Sequence, residues 1–290
     1  MATKKKTTKR VTRKSSKPKM AIAGVGMVGG ALARYLDDPI LYDPYKKLGS
    51  RDELNSADMV FVAVPTPYDE KRGGFDLSIV EETLANLEGE KIVVIKSTVI
   101  PGTTEMLQEK YPNHKILFNP EFLTEITADQ DMKFPDRQIV GYTDQSYTVA
   151  GDLMQILPQA PLERIMTSTE AEMVKYYGNT WFSVKVIFAE QMFDLCQALG
   201  VNYNRIKEGA AADKRIGRSH LAAGHGGYRG YGGKCLPKDT RALIQMAKKL
   251  GITMDLLETA EEVNGKLAKS PPIDDALRED DEAFNNNARS

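Results

Sequence analysis

Six short apolar runs punctuate the first half of the chain, and nearly every one leads into a stretch with helical spacing. The runs are "KMAIAGVG", "PILYDP", "MVFVAVP", "KIVVIKST", "KILFNP" and "RQIVGYT". Between them "MVGGALARYLDD", "DLSIVEETLANL" and "GTTEMLQEKY" carry apolar residues at helical intervals. Strands that are apolar on both faces must be covered on both sides. With the alternation, this predicts an α/β fold, a Rossmann-type doubly wound parallel sheet over residues 19–149.

The first run ends in "GVGMVG", placing Gly24, Gly26 and Gly29 between strand and helix. Gly24 suits a tight turn, Gly26 a close backbone approach to a pyrophosphate, and Gly29 close helix packing. The helix N-terminus beyond them, at Met27 and Val28, offers N–H groups and partial positive charge to an anion. Asp43 ends the second run, where a carboxylate accepts hydrogen bonds from a ribose 2′-hydroxyl and repels a 2′-phosphate. NAD is therefore the expected cofactor.

Beyond residue 150 the strand signal fades. "STEAEMVKYYGNTWFSVKVIFAEQMFDLCQALG", residues 168–200, has no proline and a single glycine, Gly178, before its last residue. It predicts one long helix, suited to connecting domains and to forming a dimer seam. "NYNRIKEGAAAD", "KDTRALIQMAKKLG" and "MDLLETAEEVNGKL" predict further helices, so residues 150–265 read as an all-helical domain. The ends differ in composition. Residues 1–18 form a basic tail, and residues 266–290 an acidic one with a short helix expected around Asp274–Phe284. The basic arm offers weak charge-driven contact with nucleic acid through residues 1–19, or simply a solvated tail.

The 290 residues carry a net charge of -1, two cysteines and three scattered histidines. That composition argues against a disulfide framework, a metal site and a membrane span, and points to a reducing, cytoplasmic setting. Cys196 lies among apolar helix positions and reads as core. Cys235 instead stands in the bare loop "GYGGKCLPKD". Several polar residues fall where a ligand beside the cofactor would lie. Thr98 follows the fourth strand, and Glu121 and Glu125 follow the fifth. Lys175 and Asn179, four apart, share a face of the long helix. Each also suits a plainer role: a cap or turn for Thr98, a solvated surface for the others.

Together "GVGMVG", "KSTVIPGTT", "NPEFLTE", "KYYGNT", "DKRIG" and "GYGGKCLPKD" occur in the order and spacing of the UDP-glucose/GDP-mannose dehydrogenase family, which residues 20–265 resemble. The resemblance implies oxidation of the C6 primary alcohol of UDP-glucose, or a related sugar nucleotide, to a carboxylate with two NAD in succession. It implies Cys235 as the nucleophile, with Lys238 favouring its thiolate, and Lys175 and Asn179 as stabilisers of an oxyanion. It implies that Asp239 with Thr98 places a water and relays protons, and that Glu121 and Glu125 lie near the sugar without fixing which does what. The cofactor residues it implies are Gly24, Gly26, Met27, Val28, Gly29, Asp43, Pro65, Thr66, Thr98 and Lys238. For the substrate they are Glu121, Phe122, Leu123, Lys175, Asn179, Tyr231, Gly232 and Gly233, with Arg215 reaching in from a second subunit of a homodimer. Family members continue into a further nucleotide-binding domain, which a partner chain is one way to supply. Two rivals remain: a two-domain β-hydroxyacid-type dehydrogenase with one hydride transfer, and a non-catalytic NAD-binding scaffold with a basic arm.

Overall fold

The computed structural model describes residues 18–69 and 74–273. The basic arm up to residue 17 and the expected helix around Asp274–Phe284 lie outside them. The chain opens as β1 (Met20–Ala23), α1 (Met27–Tyr35), β2 (Ile40–Tyr42), α2 (Arg51–Asn55) and β3 (Met59–Val62). A small hairpin, β4 (Tyr68–Asp69) and β5 (Gly74–Phe75), precedes α3 (Ser78–Ala85), β6 (Ile92–Ile95), α4 (Thr103–Lys110) and β7 (Lys115–Phe118). Then come α5 (Ala128–Lys133), β8 (Arg137–Tyr142), α6 (Tyr147–Ile156) and β9 (Leu162–Thr167). The helical part consists of α7 (Ser168–Leu199), α8 (Tyr203–Ala211), α9 (Leu236–Lys249) and α10 (Asp255–Leu267).

The seven-stranded sheet has the order β2-β1-β3-β6-β7-β8-β9. Its first five strands run parallel, as the largely buried apolar sequences of β1, β3, β6 and β7 predict, with β1, β3 and β6 packed on both faces by two apolar clusters. Two features depart from the sequence expectation. β7 and β8 pair antiparallel, and β9 adds a seventh strand, parallel to β8, beyond residue 149. "LERIMT" interleaves charged with apolar residues because it is an exposed edge strand, so it lacks the apolar run that marks the others. The pairing of Phe118 with Gly141 starts β8 four residues above the end of β7. The β8–β9 ribbon thus stands proud of the carboxyl-terminal edge of the sheet.

The long helix forms as its composition predicts. Thr167 and Glu170 make a reciprocal capping box at its start, and Gly200, with φ 68, ends it. It lies close on β8: a Cβ on Gly141 would come within 2.7 Å of the Ala171 side chain. Glu172 of α7 caps α4, accepting from the Gly102 N–H (2.6 Å), the Thr104 N–H (2.9 Å) and the Thr104 hydroxyl (2.7 Å). Farther along, buried Glu190 accepts from the N–H groups of Gly224 and Gly230, both 2.9 Å, and from Arg229 Nε at 2.5 Å. One carboxylate thereby pins the loop leading to Cys235.

Burial pushes the Glu172 carboxyl up to about 7, against the three hydrogen bonds that favour its charge. A carboxyl raised in the folded state takes up a proton as pH falls below about 7, while the unfolded chain waits until its ordinary value near 4.5. Stability from this group therefore falls as pH rises across that window. Thermal unfolding between pH 5 and 8 should show that decline, and Glu172→Gln should flatten it.

Candidate active site

A cleft of about 690 Å³ lies above the carboxyl-terminal edge of the sheet, between the turn after β7, α7 and the start of α9. This is where ligands of open α/β sheets bind. Cys235, Lys175, Asn179, Glu121, Phe122 and Leu123, all singled out in the sequence, line it.

At the centre, Lys175 donates to the Glu121 carbonyl at 3.1 Å and to its carboxylate at 2.5 Å, and both side chains are buried. Burial opposes the charge on each. For Lys175 the attraction of Glu121, then of Asp239, outweighs it and raises the pKa. For Glu121 the pull of Lys175 outweighs burial and lowers it. The pair is held ionised by mutual attraction. The Leu123 N–H donates to the second Glu121 oxygen at 2.9 Å, fixing the turn. One turn beyond Lys175, Asn179 donates to Asp239 at 2.5 Å. Asp239 is fully buried in the first turn of α9 and also accepts from Lys238 at 2.6 Å. Lys238 rests over the Phe75 ring at 4.7 Å.

Cys235 immediately precedes α9 and is exposed, answering to the bareness of its loop. Its thiol is pushed up by partial burial, which Lys238 and Lys175 oppose and Asp239 and Glu121 reinforce. Lys238 favours the thiolate in sign, but burial prevails and the shift is upward.

The dinucleotide loop is not among the residues that line this cleft. Gly24 adopts φ 89, and a Cβ there would meet the Ala63 carbonyl at 2.6 Å. Over Gly26 there is open space, and Gly26 caps α1 without a side chain, leaving the N–H groups of Met27 and Val28 for an anion. Gly29 is buried within α1. Asp43 braces the loop by accepting from the Val25 N–H at 3.0 Å and the Lys46 N–H at 3.1 Å. Each carboxylate oxygen retains a lone pair for a ribose hydroxyl. The residues present fit a dinucleotide. Thr66, after Pro65, donates to the Thr98 carbonyl at 2.7 Å, so these ends of β3 and β6 are joined.

Other predicted residues lie off the cleft wall. Glu125 is exposed and pairs with Lys234 at 3.3 Å. Arg215 points into solvent and pairs with Asp213 at 2.6 Å. Tyr231 is buried, its hydroxyl donating to Glu261 at 2.6 Å, and Gly232 packs against Tyr228, with Gly233 exposed beside it. Several further residues of the cleft escaped the sequence reading. Lys96 is buried at the end of β6, donating to Asn119 at 2.5 Å; burial pulls its pKa down to about 8, against the attraction of Glu121. Phe182, one turn beyond Asn179, stacks on His220 with centroids 4.0 Å apart, and burial pulls His220 down to about 4. Arg137 lies over Phe122. The helical spacing from Lys175 through Asn179 could have found Phe182.

Residues 46–157 match the family model described as "UDP-glucose/GDP-mannose dehydrogenase family, NAD binding domain", and residues 169–266 match that family's central domain. The chain belongs to this family. Its first domain accordingly binds NAD. The UDP-glucose 6-dehydrogenase of Rhizobium meliloti is 38% identical over 238 residues, 75% of this chain and 53% of the relative. That of Haloferax volcanii is 34% identical, over 73% of this chain and 53% of the relative. The chain spans about half the length of these relatives. A UDP-glucose dehydrogenase structure from Pyrobaculum islandicum superposes with a TM-score of 0.75 at 29% identity, covering 89% of this chain and 70% of that one. The fold is also shared with 3-hydroxyisobutyrate dehydrogenase from Mycobacterium tuberculosis, at TM-score 0.68 and 15% identity, covering 94% of this chain and 99% of the other.

Removing one member of a buried ion pair costs about 3–5 kcal/mol, because the other charge is left uncompensated. Lys175→Met should lower unfolding stability by about that amount, and adding Glu121→Gln should restore part of it, as read by urea denaturation.

Proposed function

We propose that the chain is an NAD-dependent sugar-nucleotide dehydrogenase that oxidises the C6 alcohol of UDP-glucose, or a close relative, to the carboxylate. The observation that carries this reading is the convergence of Cys235, Lys175, Asn179 and Glu121 on one cleft. Supporting it are the family membership and the names of the relatives. NAD, when bound, supplies the acceptor for the hydrogen leaving the sugar carbon.

The alcohol loses its proton to a water held by Asp239 with Thr98, and Lys175 and Asn179 stabilise the oxyanion that develops. The Cys235 thiolate then bonds to the aldehyde carbon, making that carbon tetrahedral, and the oxygen takes up a proton. Oxidation of this thiohemiacetal leaves a thioester on Cys235. Water adds to the thioester carbon, the C–S bond breaks, and acid and thiol are released. Glu121 or Glu125 assists that hydrolysis. Gly232 and Gly233 favour approach of the substrate phosphates, and Tyr231 shapes their loop.

The sequence suggests an NAD domain over 19–149 and a helical substrate domain over 150–265; because β9 joins the sheet, we place the boundary instead at Ser168, where α7 begins. A homodimer through α7 fits its exposed apolar stripe of Met173, Tyr177, Trp181, Phe188, Leu195 and Leu199. Arg215, extended into solvent, then reaches the partner's cleft. A separate chain supplying a further nucleotide-binding domain is compatible with this arrangement. No helix among the described residues is long and apolar enough to cross a membrane. A cytoplasmic setting follows from the substrate.

Incubation with UDP-glucose and NAD should yield two NADH per sugar, and Cys235→Ser should stop before the acid. The shared fold with 3-hydroxyisobutyrate dehydrogenase favours one alternative, a single-step β-hydroxyacid oxidation, which predicts one NADH and no need for Cys235. Trp181→Asp should shift the protein from dimer to monomer by light scattering, with an unchanged mass counting against the α7 seam.

A further inference from the structure

Lys96 is a buried cation that the reaction scheme leaves without a task. It directly follows β6 and lines the cleft, yet it is only 5% exposed. Its ammonium donates to the Asn119 side-chain oxygen at 2.5 Å and otherwise reaches only the Asn119 carbonyl, at 3.5 Å. Three N–H groups thus share two neutral oxygens of one residue. The Asn119 amide passes the contact on, donating to Gln138 at 2.8 Å and to the Ile139 carbonyl at 2.7 Å, and all of these residues are buried. Two charges act on Lys96: Glu121, from the turn after β7, attracts it, and Lys175, from α7, repels it. The flanking β3 is wholly apolar, the adjoining end of β7 is apolar, and β8 brings the neutral Gln138. Glu121 is itself bonded to Lys175, and Asp239, which also attracts Lys175, is paired with Lys238. Two cations therefore share the Glu121 carboxylate.

We propose that Lys96 is a positioning residue that keeps the cleft floor one positive charge in excess, so that an anion is preferred where the sugar carbon is oxidised. It acts through Asn119, whose amide it orients, and through Glu121. By attracting Glu121 it draws on the charge that would otherwise cancel Lys175, leaving that ammonium for an oxyanion. The inference rests on the dehydrogenase reading for the identity of that anion, an oxygen that gains charge as its carbon is oxidised. Burial pulls Lys96 down to about 8, so the excess charge is present at neutral pH and fades above pH 8. Stability moves the opposite way. The unfolded chain holds this proton up to the ordinary value of 10.5, so stability rises with pH between about 8 and 10.5. A merely structural lysine would not couple gain in stability to loss of anion preference.

Alkylation of Cys235 reads that preference without any sugar nucleotide, since Cys196 is buried and Cys235 exposed. Iodoacetate and iodoacetamide attack the same thiolate, so the ratio of their rates cancels its pKa and leaves the effect of one carboxylate. In the full wild-type chain the ratio should fall about tenfold between pH 7 and pH 9.5, the lower end of what a cleft lined by one sign of charge does to its counter-ions. Lys96→Met should show the low ratio already at pH 7, with no further fall. Lys96→Arg, which stays charged, should hold the high ratio to pH 9.5. A cooperative urea transition reports that each variant is folded, and the stability of wild type relative to Lys96→Met should rise over the same range. In turnover of UDP-glucose, kcat of Lys96→Met should be about tenfold lower at pH 7 and lack the decline above pH 8. A rate ratio in folded Lys96→Met equal to that of wild type overturns the proposal, as does a fall with pH that survives the substitution. A Lys96-dependent ratio in a protein that makes no NADH keeps the excess charge and removes the dehydrogenase reading. Two NADH per sugar, with the ratio unchanged in Lys96→Met, removes the proposal alone.

Discussion

The ion pair between Lys175 and Glu121 is the constraint on which the site depends. Two opposite charges buried together are tolerable only when each is the other's solvent. Here each meets more than one demand: Lys175 also takes the Glu121 carbonyl, and Glu121 takes the Leu123 N–H. The contact binds the long helix to the turn after β7, setting the distance between the two walls of the cleft. Asn179 and Asp239 repeat the arrangement one turn away and bring in α9, and with it Cys235. Helix, turn and cysteine loop are thus located by polar contacts, whereas the sheet beneath is located by apolar packing.

That division explains what was legible in the sequence. The parallel strands announced themselves because burial on both faces leaves no polar residue to interrupt them. The long helix was legible to within a residue because it lacks proline and ends in glycine. Lys175 with Asn179, and the exposure of Cys235, followed from spacing and from the composition of one loop. Lys96 did not, because a single lysine at the end of an apolar strand looks like the first polar residue of a loop. Only the fold shows it turned inward on Asn119. Arg137 was hidden for a different reason: its neighbours Phe122 and Gly178 come from separate elements. β9 was missed because an edge strand needs no unbroken apolar run.

The glycine loop and the cysteine cleft are built on different principles. Around Gly24, backbone approaches backbone, and Asp43 braces the loop through main-chain N–H groups. Around Cys235, side chains of opposite charge surround a sulfur whose pKa they move in opposing directions. The first suits a ligand recognised by shape and phosphate charge, the second a centre whose charge changes during reaction.

The offset between β7 and β8 acts as a ruler. Strands advance about 3.4 Å per residue and helices about 1.5 Å, so the four-residue overhang of β8 lifts Arg137 roughly 13 Å above Phe118. From Ser168, close to Gly141 at that lower level, the long helix takes about nine residues to climb as far. Gly178 is where it arrives. A slip of one residue in the strand pairing would bring a different helix position to the guanidinium, two residues away and around the cylinder, where a side chain would fill the gap. Cleft chemistry in this molecule is thus gauged by a two-residue ladder of hydrogen bonds well below it.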